Sequence, residues 1–140
     1  VATRRAARTS KSIGLAHGYR SGLEEQIARQ LAAAGVQAAY EAHVIPYTKP
    51  EKKAKYTPDW VLPNGIIVES KGRFITEDRQ KHLLVKAQHP ELDIRFVFSN
   101  SRQRISKTSP TTYAMWCEKN GFAYADKFIP QAWLMESPKS

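Results

Sequence analysis

The 140 residues contain one cysteine, Cys117. No intrachain disulfide can form, and a reducing compartment is the default expectation. Cys117 follows Trp116 in a predicted helix. It reads as a small core residue and not as a nucleophile, because nothing nearby in the sequence would lower its pKa. Zinc spacing is also missing. His17, His43, His82 and His89 form no helical i, i+4 pair and have no cysteine partner. No apolar run approaches bilayer length, no signal-peptide core follows the N-terminal basic residues, and no lipidation signal or amphipathic anchor is present. A cytoplasmic protein with no membrane partner is expected. The absence of a Gly-rich loop of the P-loop or dinucleotide type argues against a nucleotide cofactor. Internal repeats and low-complexity tracts are absent as well.

What is present is positive charge in blocks. The formal net charge is +9 at 25% charged residues, and a basic excess of this size points to a polyanion partner. Arg4, Arg5, Arg8, Lys11 and Arg20 all precede the first acid, Glu24. Lys49, Lys52, Lys53 and Lys55 crowd around the lone Glu51, and Arg95, Arg102, Arg104 and Lys107 run without an acid between them. A merely soluble surface intersperses the two signs. Separated basic blocks point to a nucleic-acid backbone.

The hydrophobic fraction of 41% is that of a globular chain, and the length suits one domain. Residues 1–18 read as a basic arm able to follow phosphates, and residues 19–140 as the folded domain. Ser21 caps a helix to Ala34, with Leu23, Ile27 and Leu31 in its stripe and Gly35 ending it. Val36 to Ile45 reads as a strand. Pro46 to Lys55 reads as a lysine-rich connector broken by Pro46 and Pro50. After a hairpin over residues 56–72, Thr76 caps a second helix that Pro90 stops. Ile94 to Ser99 is a strand, Asn100 to Thr108 a basic loop, and Ser109 caps a third helix with Pro110 at its first position and Gly121 closing it. A short strand at 122–124 and a helical turn at 129–134 complete the chain. The order predicts an α/β fold, a mixed sheet with helices on both faces.

The hairpin carries the chemistry. Tyr56-Thr57-Pro58-Asp59-Trp60-Val61-Leu62 and Ile66-Ile67-Val68-Glu69-Ser70 are β-rich runs around Pro63-Asn64-Gly65. A two-residue Asn-Gly turn would set Asp59 against Ser70 and turn Glu69 to the other face. A three-residue loop, favoured by Pro at its first position and Gly at the left-handed one, sets Asp59 against Glu69. Strand alternation then puts Lys71 on the same face. Two carboxylates about 4 Å apart repel by roughly 4 kcal/mol at an effective dielectric of 20. A hard divalent cation such as Mg²⁺ removes that repulsion. Pro-Asp followed by Glu-x-Lys is the signature of metal-dependent nucleases. The alternative is an exposed hairpin face with cross-strand ion pairs.

Glu24 completes Ser21-Gly22-Leu23-Glu24, a capping box, so a local role is sufficient for it, with Glu25 beside it as a fallback metal ligand. Arg79 and His82 on the second helix are candidate phosphate contacts or members of a solvated basic face. Ser99-Asn100-Ser101-Arg102 reads as a phosphate-binding or plain polar turn. Trp60, Phe96, Phe98, Trp116 and Phe122 read as core.

The chain resembles the phage endonuclease I family of Holliday-junction resolvases, within the PD-(D/E)xK nuclease superfamily. The resemblance is carried by Arg20-Ser21-Gly22-Leu23-Glu24, Tyr56-Thr57-Pro58-Asp59, Leu62-Pro63-Asn64-Gly65-Ile66, Val68-Glu69-Ser70-Lys71-Gly72, Lys81-His82-Leu83-Leu84, His89-Pro90-Glu91-Leu92-Asp93-Ile94-Arg95 and Ala125-Asp126-Lys127. It implies a restriction-endonuclease-like core and a catalytic set of Glu24, Asp59, Glu69 and Lys71. It implies Mg²⁺, replaceable by Mn²⁺, on Asp59, Glu69, the Ser70 carbonyl and Glu24. It also implies a domain-swapped homodimer acting on branched DNA in the host cell by paired nicks that leave 5′-phosphates. The 46–55 segment, richer in lysine than the family pattern, lies where the inter-subunit bridge would be. Arg4, Arg5, Arg8, Lys11, Arg20, Lys52, Lys53, Lys55, Arg79, His82, Arg102, Arg104 and Lys107 are the candidate DNA contacts. The competing readings are a restriction-type or repair nuclease on linear duplex and a non-catalytic DNA-binding module.

Overall fold

Ser21 starts the first helix through its hydroxyl, which accepts the Glu24 N–H at 3.1 Å. A computed structural model describes residues 21–49 and 52–139 of the chain. The arm and its Arg4, Arg5, Arg8, Lys11 and Arg20 lie outside the described residues. Helix α1 (Gly22–Ala33) buries Leu23, Ile27 and Leu31, and Gly35 takes φ +70 just beyond it, a backbone shape that glycine adopts without strain.

The strand expected over 36–45 is broken in two. Strand β1 is only Ala39–Tyr40, because Glu41 turns the chain with φ 48. Its N–H donates to the Asp59 carbonyl at 3.1 Å. The connector expected at 46–55 is instead a β-hairpin. Strands β2 (Ile45–Lys49) and β3 (Lys52–Tyr56) pair antiparallel, Tyr47 opposite Ala54 and Ile45 opposite Tyr56. Pro46 is tolerated because a two-stranded ribbon consists of edges. Tyr47 and Tyr56 point into the core, and the Thr48 N–H donates to Gln88 Oε1 at 2.6 Å.

Strand β4 (Trp60–Val61) pairs antiparallel with β5 (Ile67–Lys71), with Trp60 opposite Val68 and Val61 opposite Ile67. The loop between them is the three-residue one. Leu62 N–H donates to Ile66 O at 2.8 Å and Gly65 N–H to Leu62 O at 2.9 Å, with Gly65 at φ +91. Helix α2 (Thr76–Gln88) crosses to β6 (Ile94–Phe98), parallel to β5. Thr76 is its first residue and not its cap. Ile75 stands at the cap position, with its N–H on Asp78 Oδ2 at 3.3 Å. Helix α3 (Tyr113–Asn120) leads to β7 (Ala123–Asp126), parallel to β6. Its cap is Thr112, which accepts the Met115 N–H at 3.1 Å, and not Ser109. Arg104 pairs with Thr112 in a lone bridge, and Ile105 N–H reaches Thr111 O at 2.8 Å, which keeps the chain extended up to Thr112. Helix α4 (Gln131–Met135) ends the order.

The central sheet runs β1-β4-β5-β6-β7, a mixed sheet flanked by helices. Alternation along β6 sorts its side chains between two cores. Ile94, Phe96 and Phe98 join Phe74, Val85, Trp116, Cys117 and Phe122 beneath α2 and α3. Val97 joins Leu23, Ile27, Leu31, Trp60, Val68 and Trp133 beneath α1 and α4. Each fully buried side chain of this kind contributes about 1.5–3 kcal/mol. The double-sided packing fixes the register of β5, and so fixes which way its Glu69 points. No helix among the described residues is long and apolar enough to cross a membrane.

Candidate active site

One further step along the β4–β5 register sets Asp59 opposite Glu69. The two residues are 1% and 2% exposed and are tied through the backbone. Asp59 N–H donates to Glu69 Oε2 at 2.9 Å. The Ser70 N–H and hydroxyl donate to Asp59 Oδ2 at 2.9 and 3.1 Å. Lys71 stands on the same side as Glu69, its Nζ 3.9 Å from Glu69 Oε1 and 3.4 Å from Asp78 Oδ1. The structure thus brings Asp59, Glu69 and Lys71 together.

Glu24 reaches the same place from α1. The Tyr40 hydroxyl donates to Glu24 Oε1 at 2.7 Å, and the Tyr40 ring lies on Trp60 with centroids 4.7 Å apart. Glu24, Glu41 and Asp59 each offer a carboxylate oxygen within 4.8 Å of the others. Asp59 is therefore a neighbour both of Glu69, through its N–H, and of Glu24 and Glu41, through its carboxylate. Glu25 is turned elsewhere and pairs with Arg29 at 2.9 Å.

The environment is hostile to a bare negative charge. Burial, then the charge of Asp59, pushes the Glu69 carboxyl up to about 8 against the pull of Lys71 and the Tyr56 hydroxyl. That hydroxyl donates to Glu69 Oε2 at 2.7 Å. Burial holds the His82 imidazole well below its usual range, with Lys71 and Lys81 adding to the effect. Burial and Lys71 likewise lower Lys81. Clustered hard oxygen donors that repel one another fit a small divalent cation.

The family model for phage endonuclease I matches residues 5–140. The chain belongs to the phage endonuclease I family. Two relatives of this nuclease family are similar over most of their lengths. Endonuclease I of Escherichia phage T7 is 49% identical over 130 residues, covering 93% of this chain and 87% of that protein. Endodeoxyribonuclease 1 of Enterobacteria phage T3 is 53% identical over 121 residues, covering 86% of this chain and 80% of that protein.

The phage endonuclease I fold treats the expected DNA contacts unequally. Lys53, Lys55, Arg102, Arg104 and Lys107 are exposed, and Lys52 opens β3. Lys55 and Lys81 border a groove between the β2–β3 hairpin and α2, with Asp78 on its wall. Arg79 is half-buried and donates to Phe74 O and to Thr76 Oγ1. The expectation for His82 is corrected. Its side chain is fully buried, edge-on to Tyr56 and Phe96, so it reaches neither a phosphate nor solvent.

Two residues beside the acids, Glu41 and Tyr56, escaped the sequence reading, and His82 was expected on a basic face and not beside Glu69. Tyr56 had the best signal, since it precedes Thr57-Pro58-Asp59 in a strand run and so sits within reach of the acid pair. The raised Glu69 carboxyl has a measurable consequence. In metal-free protein the folded state keeps a proton that the unfolded chain releases above 4.5. Stability from this group is present below that value and is lost as pH rises through about 8. His82, held neutral, acts in the opposite sense below 6.5. The fall is therefore read between about pH 6.5 and pH 8. Calorimetry in chelator is expected to show a melting temperature that drops across this window, and Glu69→Gln is expected to flatten the drop.

Proposed function

We propose that this member of the phage endonuclease I family is a divalent-metal-dependent endodeoxyribonuclease that resolves four-way DNA junctions. The observation that carries the reading is the buried pairing of Asp59 with Glu69 beside Lys71, with Glu24 brought alongside Asp59. A DNA substrate is favoured by the family, by the name of the T3 relative and by the formal charge of +9.

Asp59, Glu69 and the Ser70 carbonyl would hold Mg²⁺ or Mn²⁺, with Glu24 and Glu41 supplying further carboxylates next to Asp59. When bound there, such a cation would supply Lewis-acid chemistry, polarising a phosphate oxygen and lowering the pKa of a water. Asp59 is held in place by the Ser70 N–H and hydroxyl, which both donate to its Oδ2. Lys71 brings an ammonium to the Glu69 Oε1 side of the site. There it orients the water or balances negative charge building on the phosphate oxygens. In the proposed reaction water attacks phosphorus and the P–O3′ bond breaks, so that the phosphate stays on the 5′ end and the departing 3′ oxygen takes a proton to become a 3′-hydroxyl.

The proposed assembly is a homodimer that exchanges elements through the 46–55 segment, so that two sites make paired nicks across one junction. Exposed Lys53, Lys55, Arg102, Arg104 and Lys107 contact the backbone, and affinity falls steeply with salt. Recognition is of branched shape, because no base-reading motif is present. The enzyme acts in the cytoplasm of the host cell.

The test compares cleavage of a four-way junction with cleavage of its component duplex arms, at one salt concentration and with Mg²⁺ in excess. The junction is expected to be cut at least tenfold faster, about 1.4 kcal/mol of discrimination. Equal rates would instead identify a nuclease for linear duplex.

A further inference from the structure

Helix α2 turns inward a residue that its basic neighbours, Arg79, Lys81 and Lys86, would lead one to place in water. His82 is 0% exposed. Its ring centroid lies 4.9 Å from Phe96 and 5.2 Å from Tyr56, with Phe122 beyond at 6.5 Å. Neither ring nitrogen has a hydrogen-bond partner among the described residues. A buried polar group left unsatisfied is destabilising, and a leucine or phenylalanine would fill the same space without that cost. Packing therefore does not account for an imidazole here.

Its surroundings do. His82 Nε2 is 3.7 Å from Glu69 Oε1. The other carboxylate oxygen, Oε2, is already held by the Tyr56 hydroxyl and the Asp59 N–H. Oε1 faces Lys71 Nζ only at 3.9 Å, so it is the oxygen available to a cation. An N–H donor bonds well at about 2.9–3.0 Å, and closing from 3.7 Å is a sub-ångström motion. Carboxylate ligands are commonly oriented by such outer partners.

We propose that His82 is a positioning residue for Glu69: its Nε2–H closes on Oε1 when that oxygen takes a divalent cation, and so fixes the rotation of the carboxylate. Tyr56 and His82 then grip one oxygen each, and the remaining lone pair of Oε1 is aimed at the ion. His82 touches neither substrate nor water.

The proposal rests on the metal reading above, and its test keeps the two apart. Mn²⁺ binding to the full chain is measured by titration calorimetry without DNA, for wild type, Glu69→Gln, His82→Phe and His82→Gln. His82→Phe keeps a ring in the aromatic box and is expected to weaken binding about tenfold, within the range seen for lost outer partners. His82→Gln returns an N–H at the same reach and is expected to recover most of the loss. In ¹⁵N-labelled wild type, the ring Nε2–H signal is expected to move downfield and become protected from exchange at saturating Mg²⁺. That signal decides the matter if His82→Phe does not fold. Wild-type affinity in His82→Phe, or a ring signal indifferent to Mg²⁺ while Glu69→Gln weakens binding, would overturn the role of His82 alone. Absence of Mn²⁺ binding by wild type would sink the metal reading and this proposal with it.

Discussion

Asp59→Ala is expected to lower junction cleavage by on the order of 10³-fold or more, a loss of about 4 kcal/mol of transition-state stabilisation. The size follows from where Asp59 stands. It is tied to the Glu69 strand through Ser70 and lies with Glu24 and Glu41. On the proposed reading, removing it takes away the carboxylate that the hairpin acid Glu69 and the pair Glu24 and Glu41 have in common. Glu69→Gln is expected to cost a similar factor, because the amide still accepts from Tyr56 and Asp59 but brings no charge to a cation. The double variant should be little worse than either single one, since residues that act as a unit are not additive. Mn²⁺ binding should fall further in Asp59→Ala than in Glu41→Ala, which leaves the Asp59–Glu69 pair intact. Cleavage within tenfold of wild type by both Asp59→Ala and Glu69→Gln would remove the metal site from the mechanism.

The second large effect is complementation between two inactive chains. Glu24→Ala and Asp59→Ala should each be inert alone. If every site takes its helix carboxylate from one subunit and its hairpin residues from the other, a mixed dimer contains one site lacking both acids and one that is intact. With random pairing about half the dimers are mixed. Co-refolding equal amounts should then restore nicking to roughly a quarter of the wild-type level. If both halves of each site come from the same chain, every site stays broken and the mixture stays inert. Nicking of a supercoiled plasmid reads the difference. Within one chain Glu24 already meets Asp59, and in the proposed exchange the partner's identical helix would take the same place. A monomer at micromolar concentration by light scattering would exclude the shared arrangement.

The acid pair was readable from sequence because its determinants are local. Pro63-Asn64-Gly65 selects the loop length, the loop selects the register, and alternation does the rest. The Ser21 cap and the αL glycines Gly35 and Gly121 were readable for the same reason. Glu41 was not, since its left-handed turn is held by the carbonyl of Asp59, eighteen positions away in the chain. Ser109-Pro110 and Thr112 are both acceptable helix starts, and only the bridge from Arg104 decides between them. Lysines and prolines hid the β2–β3 hairpin, although Tyr47 and Tyr56 carry its inward face. His82 was misplaced by its charged neighbours. Asp78, His82 and Val85 follow i, i+4, i+7, which marks the inner stripe of α2, and that spacing outweighs the company His82 keeps in the chain.

The position of the β2–β3 pair in the chain has one more consequence. It divides the candidate site residues along the polypeptide: Glu24 and Glu41 are synthesised before it, Asp59, Glu69 and Lys71 after it. Neither portion holds the full set. If these residues form the proposed site, a chain still emerging from the ribosome would lack the full set until residues through Lys71 had been made and had met Glu24 and Glu41, of the same chain or of a partner.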